Sequence, residues 1–198
     1  MELRQAIQDI IRINEHISEF WGDGGWAQSD AANMLSKSRL DWHVSLSRTL
    51  FKWCAVPQQD EHDGCLILAW ANLGALVEGT MKWFLSVFYD DYSRSPVANK
   101  GRMKEPDELS FWTLTEFFSM TVWTKDQRER WKPFADRVRE KRNAIHAYQD
   151  RDIGDFDELQ KAIITYRSFL LDLERQVPYP DEQYGYPADI YEMLVGER

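Results

Sequence analysis

The stretch from Asp63 to Tyr92, "DGCLILAWANLGALVEGTMKWFLSVFYDDY", constrains this chain more than any other. Read as a helix, it is apolar on most sides rather than along one stripe. Such a helix has to be covered on several faces, so the remaining elements must pack around it. Asp63 stands where an N-cap belongs. The longest apolar run, "CLILAWANLGALV", is too short to span a bilayer and is followed at once by Glu78. The expected place of this segment is therefore the centre of a protein core.

The flanking segments have helical period as well. Leu3, Ile7, Ile10, Ile11 and Ile17 recur at helix spacing, which predicts an amphipathic helix over about 2–21. "WGDGGW" ends it. No Gly-Lys-Ser/Thr follows those glycines, so they mark a turn and not a phosphate loop. A second helix is expected over about 29–53, with Leu40, Val44 and Phe51 on one side. Residues 93–106, "SRSPVANKGRMKEP", form the longest loop and carry Arg94, Lys100, Arg102 and Lys104 against Glu105 alone. Long loops in compact domains are usually either functional or mobile, and on the functional reading these four are candidate RNA contacts.

Pro106 suits the first turn of a short helix through "DELSFWTLTEFFSMTVW". Thr124 and Gln127 have capping-box spacing and open a helix expected to end near Ala147, kinked or restarted at Pro133. Asp155 and Glu158 repeat that spacing and start the last helix, to about Val177. No stretch alternates as a strand. The fold class is all-α: one domain over 1–176, a bundle of about five or six helices. The tail over 177–198, with three prolines and four tyrosines, is expected to be extended and to dock on the bundle or on a partner.

At 198 residues the chain suits a single core. Nine Trp, ten Phe and eight Tyr are expected to pack between helices, with a partner-binding surface as the alternative. Two cysteines, Cys54 and Cys65, match neither a disulfide scaffold nor a zinc pattern. The charged N-terminus lacks the apolar centre of a signal peptide. These features predict a cytoplasmic protein with no membrane partner. A net charge of −9 argues against broad affinity for nucleic acid. From Lys125 to Arg151, however, nine basic residues face five acidic ones, a local +4 in an otherwise acidic chain.

Within that basic segment lies "REKRNAIHAY". On a continuous helix, Trp131, Phe134, Val138 and Ile145 share a core-facing stripe. Arg139, Arg142 and His146 then fall roughly 50–110° from its centre, along one edge, with Asn143 further round. These residue types suit phosphodiester chemistry. An imidazole can accept a proton from a ribose 2′-hydroxyl or donate one to the leaving 5′-oxygen near neutral pH. Guanidinium groups hold a phosphate and stabilise charge growing on its oxygens. Arg139, Arg142, Asn143 and His146 are the candidate catalytic residues, and this route calls for no metal or cofactor.

The same segment resembles the signature of HEPN domains, an Arg followed after four to six residues by a His. Arg139 stands at a permitted spacing from His146, with Glu140 in the polar position; Arg142 is three residues closer. "LGALVEGTMKWFLSVF" resembles the long earlier helix of that fold, with Glu78 as its internal Glu. The resemblance implies a helical bundle, a homodimer and a metal-independent endoribonuclease leaving a 2′,3′-cyclic phosphate, as in toxins and phage-defence effectors. In HEPN toxins paired with a nucleotidyltransferase antitoxin, a Tyr two residues after the His is adenylylated. Tyr148 holds that place. The alternative is a non-catalytic HEPN-like module that binds a nucleotide or a protein, or a purely structural helical protein.

Overall fold

The computed structural model describes residues 2–24, 27, 29–146, 148 and 150–179. Within them the chain forms eight α-helices and one minimal hairpin, and the all-α expectation holds. In chain order these are α1 (Leu3–Trp21), α2 (Ser29–Lys37), α3 (Leu40–Thr49), α4 (His62–Val87), α5 (Tyr89–Arg94), β1 (Ala98–Asn99), β2 (Arg102–Met103), α6 (Phe111–Phe117), α7 (Lys125–Arg142) and α8 (Phe156–Glu174).

The apolar helix α4 is the hub, packing on α7, α8, α2 and α3, while α1 lies against α3 and α8. Its Trp70, Leu73, Leu76, Val77 and Met81 are fully buried. The stretch Gln59–Val87 is long and apolar enough by composition to cross a membrane, although its longest apolar run is not; just over half of its 18-residue apolar window is buried inside the bundle. Polar groups in the core are paired across helices. Arg167 of α8 meets Asp9 of α1 at 2.5 Å, and Tyr166 of α8 meets Thr80 of α4 at 2.9 Å.

Local chemistry accounts for the helix ends. At α7 the Thr124 side chain accepts from the Gln127 N–H while Gln127 accepts from the Thr124 N–H, a full capping box. Asp155 caps α8 by accepting from the Glu158 N–H at 2.8 Å. Pro133 lies within α7, which runs on through it with the ring on the exposed face.

Several expected boundaries are corrected. The helix expected over 29–53 is two helices and a 3₁₀ turn (Leu50–Cys54). The break falls at Ser38, whose hydroxyl donates to the Leu35 carbonyl and competes with the backbone ladder. α4 starts at His62 with Glu61 as an N-cap that offers no side-chain bond, so Asp63 lies in the first turn and not at the cap. It stops at Phe88, which leaves helical dihedrals before α5. Pro106 opens a 3₁₀ turn (Pro106–Glu108), and α6 begins later behind a Ser110 cap. Inside the long loop, Lys100 and Gly101 both take positive φ, 51° and 79°, the two-residue turn that joins β1 to β2.

The start of the expected tail packs on its own bundle. The Tyr179 ring lies 5.0 Å from Phe20 and 5.9 Å from Trp21, centroid to centroid, and its hydroxyl donates to Glu174 at 2.9 Å. Residues 180–198 of that tail lie outside the described residues.

Candidate functional site

The basic end of α7 is built on the central helix. Gly74 of α4 faces Arg142 so closely that a Cβ there would sit 2.5 Å from the Arg142 Cγ. The missing side chain lets the arginine stem lie flat along α4. One turn further on, Glu78 receives the guanidinium: Arg142 Nη2 stands 2.9 Å from Glu78 Oε2. Lys82, one more turn along, pairs with the other oxygen of Glu78 at 2.9 Å. Arg142, Glu78 and Lys82 thus form a row of alternating charge across two helices.

Arg139 sits beside this row, half-buried, with Asp136 at 3.4 Å and Glu140 at 3.6 Å. Beyond Arg142 the backbone tightens into a 3₁₀ turn, Asn143–His146. A 3₁₀ turn advances about 120° per residue against 100° for the α-helix, so His146 is rotated some 80° from its expected position. The same rotation overturns the expected core stripe. Ile145 is 46% exposed, and Ala144 is buried instead. His146 is exposed, Asn143 is half-buried, and Tyr148 is fully exposed, its N–H donating to the His146 carbonyl at 2.8 Å.

Lys141, one turn beyond Val138, faces the core. It is buried and pairs with Asp152 at 2.7 Å and Glu158 at 3.5 Å, tying the connection before α8 to α7. The Trp70 indole N–H donates to the Ile153 carbonyl at 2.8 Å and anchors that connection from α4.

The expected loop cations lie elsewhere. Arg94 pairs with Asp91 at 2.6 Å and Arg102 pairs with Glu108, both on the surface. Lys104 gives its carbonyl to the Tyr92 hydroxyl at 2.5 Å, and Lys100 is exposed in the hairpin turn. Among the described residues no ion pair or hydrogen bond joins these four to Arg139, Arg142 or His146. Among the described residues, too, no three His, Cys, Asp or Glu side chains converge as a metal site requires.

The structure therefore brings Arg142 and Arg139 together at the end of one helix and adds Glu78, Lys82 and Gly74. Sequence reasoning singled out Glu78 only as the internal acid of a helix, without its partner. Its signal was the lone carboxylate within "LGALVEGTM", which in an apolar helix needs a cationic partner but does not name Arg142. The chain matches no family model, no curated protein and no solved structure.

Proposed function

We propose that the chain is a metal-independent endoribonuclease of HEPN type, a cytoplasmic toxin or phage-defence effector that leaves a 2′,3′-cyclic phosphate. The observation that supports it is Arg142, aimed by Glu78 of the central helix and followed one turn later by an exposed imidazole. His146 removes the proton from a ribose 2′-hydroxyl as that oxygen attacks phosphorus. The 5′-oxygen departs with a proton from a second imidazole, and Arg142 with Arg139 stabilises the charge on the non-bridging oxygens. Asn143 adds a neutral donor and acceptor. The second imidazole is that of a homodimer mate. Lys100 and Lys104, with Arg94 and Arg102, are proposed to track the RNA strand away from the cleavage point.

Full exposure of Tyr148 supports a point of control by a nucleotidyltransferase-type antitoxin. An AMP group there would set a phosphate anion beside the two arginines and compete with substrate. Intact-mass measurement after co-expression checks this; modification at any other residue removes Tyr148 from the proposal.

A second reading has its own support. Both arginines already carry carboxylate partners, as they would in a non-catalytic module that binds a nucleotide or a protein. His146→Ala separates the two, because the exposed ring contributes little to folding. Loss of RNA cleavage by on the order of 100-fold or more, at unchanged melting temperature, is the expected result. Equal cleavage by the wild type and the variant would sink the enzyme reading. Arg142→Ala is the less clean variant, since it removes one of the two cations from Glu78.

A further inference from the structure

Glu174 ends α8 inside the protein, 1% exposed, where little water can solvate a charge. Part of its cover is the chain that follows. Arg175 and Gln176 are exposed, Val177 turns back and is buried, and the half-buried Tyr179 donates its hydroxyl to Glu174 at 2.9 Å. The Tyr179 ring lies against α1, 5.0 Å from Phe20, 5.9 Å from Trp21 and 5.4 Å from His16, centroid to centroid. Residues 177–179 therefore form a strap from the end of α8 onto α1. Apolar and aromatic contacts of this kind tolerate a neutral carboxylic acid beside them and oppose a carboxylate.

The groups around Glu174 show which one titrates with the strap. Burial pushes its carboxyl up to about 7, against the Tyr179 hydroxyl and Arg175, which both favour the charged form. On α1, burial lowers the His16 imidazole below its ordinary 6.5 and Glu19 draws it back, so His16 is neutral before Glu174 ionises. Arg12 stands one turn before His16 on the same side of α1. Asp172 is turned to α7, where Gln127 and Trp131 donate to it, and Asp9 of α1 is held by Arg167. We propose that residues 177–179 are a proton-controlled latch, closed over Glu174 while its carboxyl is protonated and lifted off α1 when it ionises. Lifting lets water reach the carboxylate and uncovers Phe20. A carboxyl at about 7 when covered and near 4.5 when open favours the closed strap in acid. That advantage is lost as pH rises from 4.5 to 7. The latch is independent of RNA cleavage.

Amide hydrogen exchange of the full chain at pH 5 and pH 8, divided by intrinsic rates, tests it. The reporters are Gln176 and Val177, whose N–H groups donate to the Leu173 and Glu174 carbonyls at 3.1 and 3.0 Å in the closed strap. Opening at these amides should be on the order of 50-fold greater at pH 8 than at pH 5, while the amides of α4 stay protected. Glu174→Gln, which keeps the shape and cannot ionise, should leave less than about a threefold difference. Tyr179→Phe keeps the ring and removes the donor. It should open the strap about tenfold further at pH 8 and less at pH 5, because a hydrogen bond to a charged group is the stronger one. Equal opening of the wild type at both pH values overturns the proposal. So does a pH dependence that survives in Glu174→Gln, an equal effect of Tyr179→Phe at both pH values, or loss of protection in α4 in parallel with the strap.

Discussion

Glu174, at the end of α8, is 1% exposed and accepts a hydrogen bond from the Tyr179 hydroxyl. Burial pushes its carboxyl up to about 7, while burial holds the His43 imidazole down at about 4. The two groups act on stability in opposite directions. Between about pH 4.5 and 7 the folded state holds a proton on Glu174 that the unfolded chain has released, so stability falls as pH rises through that window. Between about pH 6.5 and 4 the unfolded chain gains a proton on His43 that the folded state refuses, so stability falls as pH drops. The slopes oppose each other over their shared range, and above pH 7 the Glu174 penalty stands alone. It amounts to roughly 3 kcal/mol at most. Glu174→Gln should therefore raise the urea midpoint at pH 8 and leave it nearly unchanged at pH 4.5. Equal gains at both pH values would show that ionisation of Glu174 is not the cause.

At the scale of elements, two glycines of α4 stand in opposite surroundings. Gly74 admits the Arg142 stem, with no space for a methyl group, whereas a Cβ added at Gly64, in the first turn, would meet nothing within 4 Å. Ala is favoured over Gly in a helix by up to about 1 kcal/mol. Gly64→Ala should gain part of that. Gly74→Ala should lose about 1–3 kcal/mol net, because overpacking against α7 outweighs propensity. Chemical denaturation of both variants checks the contrast, and a stabilised Gly74→Ala would mean that α7 shifts without cost. This contact also marks where sequence reading stops. The extents of α1 and α8 and the Thr124 capping box were legible, since period and cap chemistry are local. The breaks at Ser38 and Phe88 were not, for those segments read as continuous helix by period alone. Arg139 and Arg142 could be grouped from spacing along one helix, whereas His146 lies in the 3₁₀ turn beyond it. Glu78 as the partner of Arg142 could not, because that pairing depends on how α7 crosses α4. Nor could the 3₁₀ turn, which follows no Gly or Pro and yet rotates Ile145 out of the core.

Taken as a whole molecule, the basic segment offers less free positive charge than its composition suggests. Lys132 is held by Glu116 and Asp136, Arg137 by Glu158, Lys141 by Asp152, and Arg142 by Glu78. Beyond the end of α7, Ile145, His146 and Tyr148 are exposed. On the proposed function one His per chain is too few, since cyclising cleavage uses both a base and an acid. A two-fold interface centred on Ile145 would bury that side chain against its own copy and bring two His146 rings to one cleft. Ile145→Glu would then place two carboxylates against each other at the axis. The variant should be monomeric by light scattering at micromolar concentration and inactive in RNA cleavage. Its folding should be nearly unaffected, because exposed substitutions usually change stability by about 0.5 kcal/mol or less. A wild-type monomer that cleaves RNA would remove the dimer from the mechanism, and so would an Ile145→Glu monomer of full activity.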